Sequence, residues 1–404
     1  MLISYQFLLL LLAPVFIVFS LKHYRNNKDS YYLWQRFGFK LPAVKNPVWF
    51  HCASVGEVIT AIPLIELYKE KFPDKNFLVT TNSVTGANIC RNRLSFCTHS
   101  FLPFDYRFIT KRFLKHIHPE QLIILETEIW PNLFQLSQQQ NLPLSIINGR
   151  LSKRTLNTNR WTKSIYRKSL SHVNKIYCRS AEDANSYRLL GANDRQTEVI
   201  GNLKFSLVIK QTETATNLIN RPYVLAASTH SGEEIKIVNL WNKISHNSLL
   251  LVIAPRHPER KEEILAELKP LGHELKTRSM DEAITDNTAI YLADTLGEMN
   301  NLFAHAELVI MGGSFVSKGG HNILEPAALG KAIIYGPSME NFAAENTLFL
   351  ENQAALQVDE EQAIKEIDRL IKEPEYREQL GKNARALILK HNKVAETYLE
   401  KLTQ

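Results

Sequence analysis

From residue 47 onward, short apolar runs alternate with longer stretches in which apolar positions return every three or four residues. Strand-like runs begin at Val48 (VWFHCA), Phe77 (FLVTT), Leu122 (LIILE), Leu144 (LSIIN), Lys175 (KIYC) and Glu198 (EVIGN), most of them bounded by Gly, Asn, Asp or Pro. The pieces between them, such as GEVITAIPLIELYKEKF at 56–72, have the period of a helix with one buried face. Such a β-α alternation sets successive strands into a parallel sheet. The pattern stops at a polar, Thr-rich stretch, KQTETATNLINR at 210–221, read as an interdomain linker. It restarts at Tyr223 (YVLAAS), Leu249 (LLLVIAP), Ala289 (AIYLA), Leu308 (LVIMGG) and Ala332 (AIIYG). The α/β chain therefore reads as two doubly wound domains. Open parallel sheets take ligands at the carboxyl ends of their strands, so a cleft between the halves is the default site. The acidic and basic tail from about residue 360 is expected to be helical and solvated.

The amino-terminal end has a different pattern. Residues 2–21, LISYQFLLLLLAPVFIVFSL, carry no charge, and as a helix they match the thickness of a bilayer core. A secretory signal places its positive charges before the apolar run, whereas here they follow it, in FSLKHYR, so an uncleaved anchor is expected. Pro14 would kink a span, and a buried or interfacial helix is the alternative. Residues 22–40 hold a net +4 from Lys22, Arg25, Lys28, Arg36 and Lys40 against Asp29. The positive-inside rule then puts the remaining chain in the cytoplasm. Tyr24, Tyr31, Tyr32, Trp34, Phe37 and Phe39 lie among those charges and suit a lipid headgroup layer. Deleting residues 1–21 is expected to leave a folded protein with a weaker, salt-sensitive attachment through this collar.

Composition narrows the class. The 404 residues allow two or three domains, and 45% hydrophobic with 22% charged is the balance of a folded soluble body. The formal net charge is +7, most of it in the collar, so the body is nearly neutral and does not read as a nucleic-acid binder. Cys52, Cys90, Cys97 and Cys178 form no Cys-x-x-Cys pair, which fits neither a disulfide framework nor a cysteine zinc site.

The chemistry-bearing residues gather just after the predicted strands, on one end of each sheet. They are SVGE (54–57), TTNSVTGA (80–87), ETEIWPN (126–132), NGRLS (148–152), GNLK (201–204), STHSGEE (228–234), PRHPER (255–260), LGE (296–298) and GGSFVSKGGHNILEP (312–326). No dinucleotide-type glycine fingerprint or Walker-type phosphate loop is present, which weakens oxidoreductase and NTPase readings. Glu57 opens a helix after the first strand, either as a first-turn acid favoured by the helix dipole or as a general base. Glu126 and Glu128 could bind a metal, orient an acceptor or be solvated. Lys204 and Arg256 stand where a phosphate or carboxylate would sit, or are ordinary surface cations. Gly319 to Glu325 allows close backbone approach before a helix whose amino terminus could hold a phosphate, with Glu325 accepting from ribose hydroxyls; the plainer reading is a tight turn with Asn322 as cap. With no Asp-x-Asp of the metal-dependent sugar-nucleotide enzymes, a metal-free phosphate site fits better.

Taken in this order across residues 50–346, SVGE, ETEIWPN, NGRLS, GNLK, STHSGEE, PRHPER and GGHNILEP resemble the 3-deoxy-D-manno-octulosonic acid (Kdo) transferases. That resemblance implies a membrane-anchored enzyme of the GT-B glycosyltransferase fold, with two Rossmann-like domains, moving Kdo from CMP-Kdo to a lipid A precursor in lipopolysaccharide biosynthesis at the cytoplasmic face of the inner membrane. It implies Glu57 as proton acceptor, Glu126 and Lys204 as stabilisers of the transition state, and no metal or cofactor. Pro255, Arg256, Leu296, Gly297, Glu298, Asn322, Ile323, Leu324 and Glu325 match its CMP-binding segments. NGRLS stands where NARLS is frequent, and LGE where MGE or IGE is; neither departure removes an ionisable group. The expected division is an anchor at 1–21, a basic-aromatic segment at 22–46, an acceptor domain at 47–209, the linker at 210–221 and a CMP-Kdo domain at 222–404. The alternatives are another GT-B sugar-nucleotide transferase or epimerase, and a non-catalytic, membrane-tethered sugar-nucleotide binding protein.

Overall fold

The computed structural model describes residues 2–27, 29–207, 215–244 and 249–404. The chain forms two units, one of residues 1–207 joined by 393–404, the other of residues 208–392. In the first, strands β1 (Pro47–His51), β2 (Asn76–Thr81), β3 (Thr98–Phe101), β4 (Gln121–Leu125), β5 (Leu144–Gly149), β6 (Lys175–Cys178) and β7 (Thr197–Val199) make a parallel sheet of order β3-β2-β1-β4-β5-β6-β7. Alternate side chains of β1 face opposite ways. Trp49 joins a core with Leu122, Phe134 and Tyr187, while Val48 and Phe50 join another with Val58, Ile65 and Tyr398. The direction of winding reverses between β1 and β4, where a ligand crevice opens in such sheets.

The second unit repeats the plan with β8 (Tyr223–Thr229), β9 (Leu250–Pro255), β10 (Leu275–Thr277), β11 (Ile290–Leu292), β12 (Leu308–Met311), β13 (Ala332–Tyr335) and β14 (Leu356–Gln357). Its order, β10-β11-β9-β8-β12-β13-β14, puts the switch between β8 and β12. The three strands that the apolar pattern misses, β3, β10 and β14, all lie at sheet edges. An edge strand is covered less than a central one and needs no long apolar run; both residues of β14 are only half-buried.

Two expected boundaries change. Residues 210–214 of the expected linker lie outside the described residues, and 215–219 form neither helix nor strand. The expected carboxy-terminal domain does not run to residue 404, because the last helix, Val394–Thr403, belongs to the first unit. There the buried Tyr398 hydroxyl accepts from the Asn148 N–H (3.1 Å) and donates to the Gly201 carbonyl (3.0 Å), bracing NGRLS and GNLK together. The tail is helical as expected but not solvated all round: Glu360–Lys372 buries Ala363, Ile367 and Leu370, and Pro374–Lys390 buries Leu380, Ala384 and Ile388.

The amino-terminal helix, Leu2–Asn27, runs on through Pro14, and its segment Ser4–Lys22 is long and apolar enough to cross a membrane, with a mean hydropathy of 2.1. One stripe of it is nonetheless packed on protein. Tyr5, Leu9, Ala13 and Phe16, spaced as one helix face, meet Phe104, Tyr106 and Ile109, and Phe16 stacks on Phe104 at 4.8 Å. Tyr106 donates to the Leu9 carbonyl (2.7 Å), and Tyr5 donates to Asp105 (3.0 Å). Phe7, Leu10, Leu11, Val15 and Val18 stay exposed. Asp105 also accepts from the N–H groups of Asn132 (2.8 Å) and Leu133 (2.9 Å), so it caps the helix Pro131–Gln139 that continues ETEIWPN. Burial lifts its carboxyl to about 7.

This packing alters the expectation for a shortened chain. Removing residues 1–21 uncovers Phe104 and Tyr106 and takes the Tyr5 hydroxyl from Asp105. The shortened protein should melt earlier than the full chain in the same detergent, by at least about 2 kcal/mol. Equal melting temperatures would mean that the helix does not rest on this surface in solution. The collar is also only partly outward. Tyr24, Tyr31, Trp34 and Phe39 are exposed, but Tyr32 is buried against Phe101 and Arg36 turns inward to Asn82 (2.8 Å), the Leu102 carbonyl and the face of Phe104.

Candidate active site

In the first unit the polar groups stand at the switch between β1 and β4. Ser54 caps the helix Val55–Lys71, and the Glu57 carboxylate reaches back to accept from the Ala53 N–H (2.8 Å) and the Ser54 hydroxyl (2.9 Å). The two sequence readings of Glu57 are thus one geometry, a helix-start acid that also faces the strand end. Its ionisation runs against the helix dipole, which favours the charged form. Burial raises its pKa to about 7, with the charges of Glu126 and Glu128 adding to the rise, and this exceeds the opposing bonds from Ala53 and Ser54. Such a carboxyl is suited to take a proton near neutrality.

Glu126 directly follows β4 with a left-handed backbone, φ +55°, unusual for a residue with a side chain. Three contacts hold it there: the Glu126 N–H donates to the Ile147 carbonyl (3.0 Å), the Tyr187 hydroxyl donates to the Glu126 carbonyl (2.7 Å), and Arg150 pairs with the Glu126 carboxylate (2.7 Å). Glu128 lies 3.3 Å from the Asn82 amide and 3.6 Å from His51 Nε2. Burial acts to raise its pKa, but His51, Trp130 and Arg36 outweigh that and leave it lowered. The two acids of ETE thus sit in separate settings. Arg150, within NGRLS, is a further cation of this site, and its signal in the sequence is its place two residues after the strand run LSIIN.

Lys204 follows β7, an edge strand, yet reaches the same region. After β7 the chain turns back across the sheet end, and Asn148 and Asn202 side chains fix the short turn Leu203–Ser206 by accepting from Leu203 and Lys204 N–H groups (both 3.0 Å). Leu203 shares a core with Val58 and Ile62 of the Glu57 helix.

In the second unit a cavity of about 390 Å³ is lined by Pro255, Arg256, Leu296, Gly297, Asn322 and Glu325, together with Ser228 and His321. Asn322 donates to Glu325 (2.9 Å), whose pKa burial raises. Three of the expected CMP-binding residues are not in its wall. Glu298 is turned to Arg278 (2.9 and 3.2 Å), while Ile323 and Leu324 are fully buried beneath it. The expected phosphate-holding helix is also reduced: Leu324–Ala328 has five residues, too short to present a helix-end charge of consequence. Cationic and donor side chains, Arg256 and His321, are what this wall offers an anion.

STHSGEE is mostly scaffold. The buried Glu233 carboxylate accepts from the N–H groups of His230 (3.1 Å), Gly313 (2.7 Å), Ser314 (3.1 Å) and Phe315 (2.9 Å), tying the ends of β8 and β12 across the switch. Glu234 accepts from Thr229 (2.9 Å) and pairs with Arg260 of PRHPER (2.9 Å). Gly312 is required by space: a Cβ there would lie 2.6 Å from the Ser228 carbonyl oxygen. Among the described residues no three His, Cys, Asp or Glu side chains are grouped to hold a metal ion.

Residues 32–207 match the family model of 3-deoxy-D-manno-octulosonic-acid transferase (kdotransferase). The 3-deoxy-D-manno-octulosonic acid transferase of Haemophilus influenzae is 31% identical over 97% of this chain and 95% of its own length. The probable mitochondrial 3-deoxy-D-manno-octulosonic acid transferase of Arabidopsis thaliana is 32% identical over 76% of this chain and 73% of its own. Among solved structures, UDP-GlcNAc 2-epimerase from Neisseria meningitidis superposes with a TM-score of 0.62 over 88% of this chain and 99% of that one, at 14% identity, a likeness of fold alone. Two switch-point sheets of GT-B type and relatives matched along almost the whole chain lead to one assignment: this chain belongs to the Kdo transferase family of glycosyltransferases.

Proposed function

We propose that the chain transfers Kdo from CMP-Kdo to a hydroxyl of a lipid A precursor with inversion at the anomeric carbon. The observation that carries the reading is the Glu57 carboxyl, held by the Ala53 N–H and the Ser54 hydroxyl at the switch of the first sheet, where burial raises its pKa to about 7. A single displacement needs a base on the acceptor hydroxyl and stabilisation of the departing phosphate, with no covalent enzyme intermediate. Glu57 takes the hydroxyl proton, Glu126 is held by Arg150 beside it, and Lys204 supplies positive charge from the turn packed on the same helix. The cavity of the second unit takes the nucleotide, with Arg256 against its phosphate. An acceptor with acyl chains lies in a membrane leaflet; the exposed apolar face of Leu2–Asn27 and the outward Tyr24, Tyr31, Trp34 and Phe39 hold the enzyme at the cytoplasmic face of the inner membrane.

Turnover of CMP-sugars set against UDP-sugars tests the donor. Transfer from CMP-Kdo alone supports the reading; turnover of a UDP-sugar instead would make the chain another GT-B sugar-nucleotide enzyme. Arg256→Ala should weaken CMP binding by about 1.5–3 kcal/mol, the loss of one charge-assisted contact. Calorimetric CMP affinity equal to that of the parent protein would move the nucleotide out of this cavity.

A further inference from the structure

Two histidines meet at the switch of the second sheet, one following β8 and the other following β12. His230 Nε2 and His321 Nε2 are 2.8 Å apart. The rings are inclined by only 4° with centroids 5.0 Å apart, the separation of an in-line, edge-to-edge N–H···N bond. Such a bond needs one Nε2 protonated and the other bare. His321 lines the cavity and His230 does not, so Nδ1 of His321 is the ring nitrogen left for a ligand. Beside the pair, Glu233 ties the N–H of His230 to those of residues 313–315.

Burial and the charges around the pair oppose its protonation. Burial, then the charges of His230, Arg256 and His257, bring His321 down to about 4. His230 is lowered by burial and by Lys318, His257 and Arg260, with only Glu234 acting the other way. The negative charge of an arriving phosphate acts the other way on both rings, because it offsets the cations. One added proton also turns the neutral N–H···N bond into a charge-assisted one without moving either ring.

We propose that His321 is the acid that protonates the departing phosphate, with His230 as the positioning residue that stabilises its charged form. The proposal rests on the donor-site reading above. As the acceptor oxygen bonds to the anomeric carbon of Kdo, the bond from that carbon to the phosphate oxygen breaks and its electron pair stays on the phosphate. The acceptor hydroxyl proton goes to Glu57. The Nδ1 proton of His321 goes to the departing oxygen, leaving neutral His321 donating from Nε2 to His230. Solvent then returns a proton to the pair and removes one from Glu57, and the cycle closes.

The test uses full-length enzyme in detergent, with His321→Gln and His230→Gln and CMP as the binding probe. Calorimetry in two buffers of different ionisation enthalpy should show the parent protein taking up more protons on binding CMP near pH 7 than His321→Gln does. His321→Gln should lower kcat by about 10²-fold, the lower end for acid catalysis because the phosphate leaves already carrying charge, with the donor KM little changed. The falling alkaline limb of the rate profile should vanish in His321→Gln and shift to lower pH in His230→Gln. Near-parental kcat in His321→Gln, or equal proton uptake in both proteins, would overturn the proposal. If His321→Gln melts early, the shifted limb in a normally melting His230→Gln carries the test, and an unshifted limb there overturns it as well. Failure of the parent protein to bind CMP would instead remove the donor-site reading, a result that the binding arm alone reports.

Discussion

Glu57→Gln is expected to slow Kdo transfer by roughly 10² to 10⁴-fold, the contribution of a positioned base to removing a hydroxyl proton. Gln keeps the shape of the helix start: its oxygen accepts from the Ala53 N–H and its amide faces the Ser54 hydroxyl. CMP affinity, which the proposed reading assigns to the second unit, should be unchanged. Melting should stay level or rise slightly, since the ionised parent carboxylate is costly to bury. The pH dependence has a definite sign. A base with its pKa at about 7 works when deprotonated, so kcat/KM for the parent enzyme should climb as pH rises through about 7, ahead of the alkaline fall assigned to His321. In Glu57→Gln that acid limb should be gone. Near-parental turnover in Glu57→Gln together with an inactive Glu126→Gln would transfer the base to the ETE pair.

Glu233→Ala is expected to be the most damaging substitution to stability in the second unit. One buried carboxylate satisfies four backbone N–H groups there, two on each oxygen. Ala leaves all four without an acceptor and opens a cavity besides. Each unsatisfied buried donor costs about 1–3 kcal/mol, so the unit should lose at least about 3 kcal/mol and melt well before the parent protein. Glu233→Gln keeps one accepting oxygen but sets an amide N–H₂ against two N–H donors, so it should fall between the two. A thermal or urea unfolding series on the three proteins checks the order. If Glu233→Ala unfolds like the parent, water or a rearranged loop supplies those acceptors and the scaffold role of STHSGEE is wrong.

How much of this was legible beforehand depends on how local each signal is. Central strands such as β1, β4, β8 and β12 are buried on both faces, so their residues are apolar in unbroken runs that stand out from the helical period around them. From that alternation alone follow two parallel doubly wound sheets and the gathering of SVGE, ETEIWPN, PRHPER and GGHNILEP at one end of the strands. The uncharged run at residues 2–21 is equally local. The resemblance carried by those motifs added the sugar and the donor, and the roles expected of Glu57, Glu126 and Lys204.

Tertiary structure decided whatever depends on partners far apart in the chain. Tyr398 lies 250 positions from Asn148, and no period in the last helix reveals that it braces the first unit rather than the second. His230 and His321 are 91 positions apart and become a pair only because the sheet reverses its winding between β8 and β12. Glu57 looked from its place at a helix start like an ordinary ionised acid; burial and two neighbouring carboxylates, which only the folded chain assembles, set its pKa near neutrality. The apolar run at the amino terminus likewise could not show that one of its faces is spent on Phe104, Tyr106 and Asp105. Hydrophobic periodicity records whether a residue is buried, since burial constrains each side chain on its own. It does not record against what, because many partners satisfy the same apolar side chain and only the three-dimensional packing selects one.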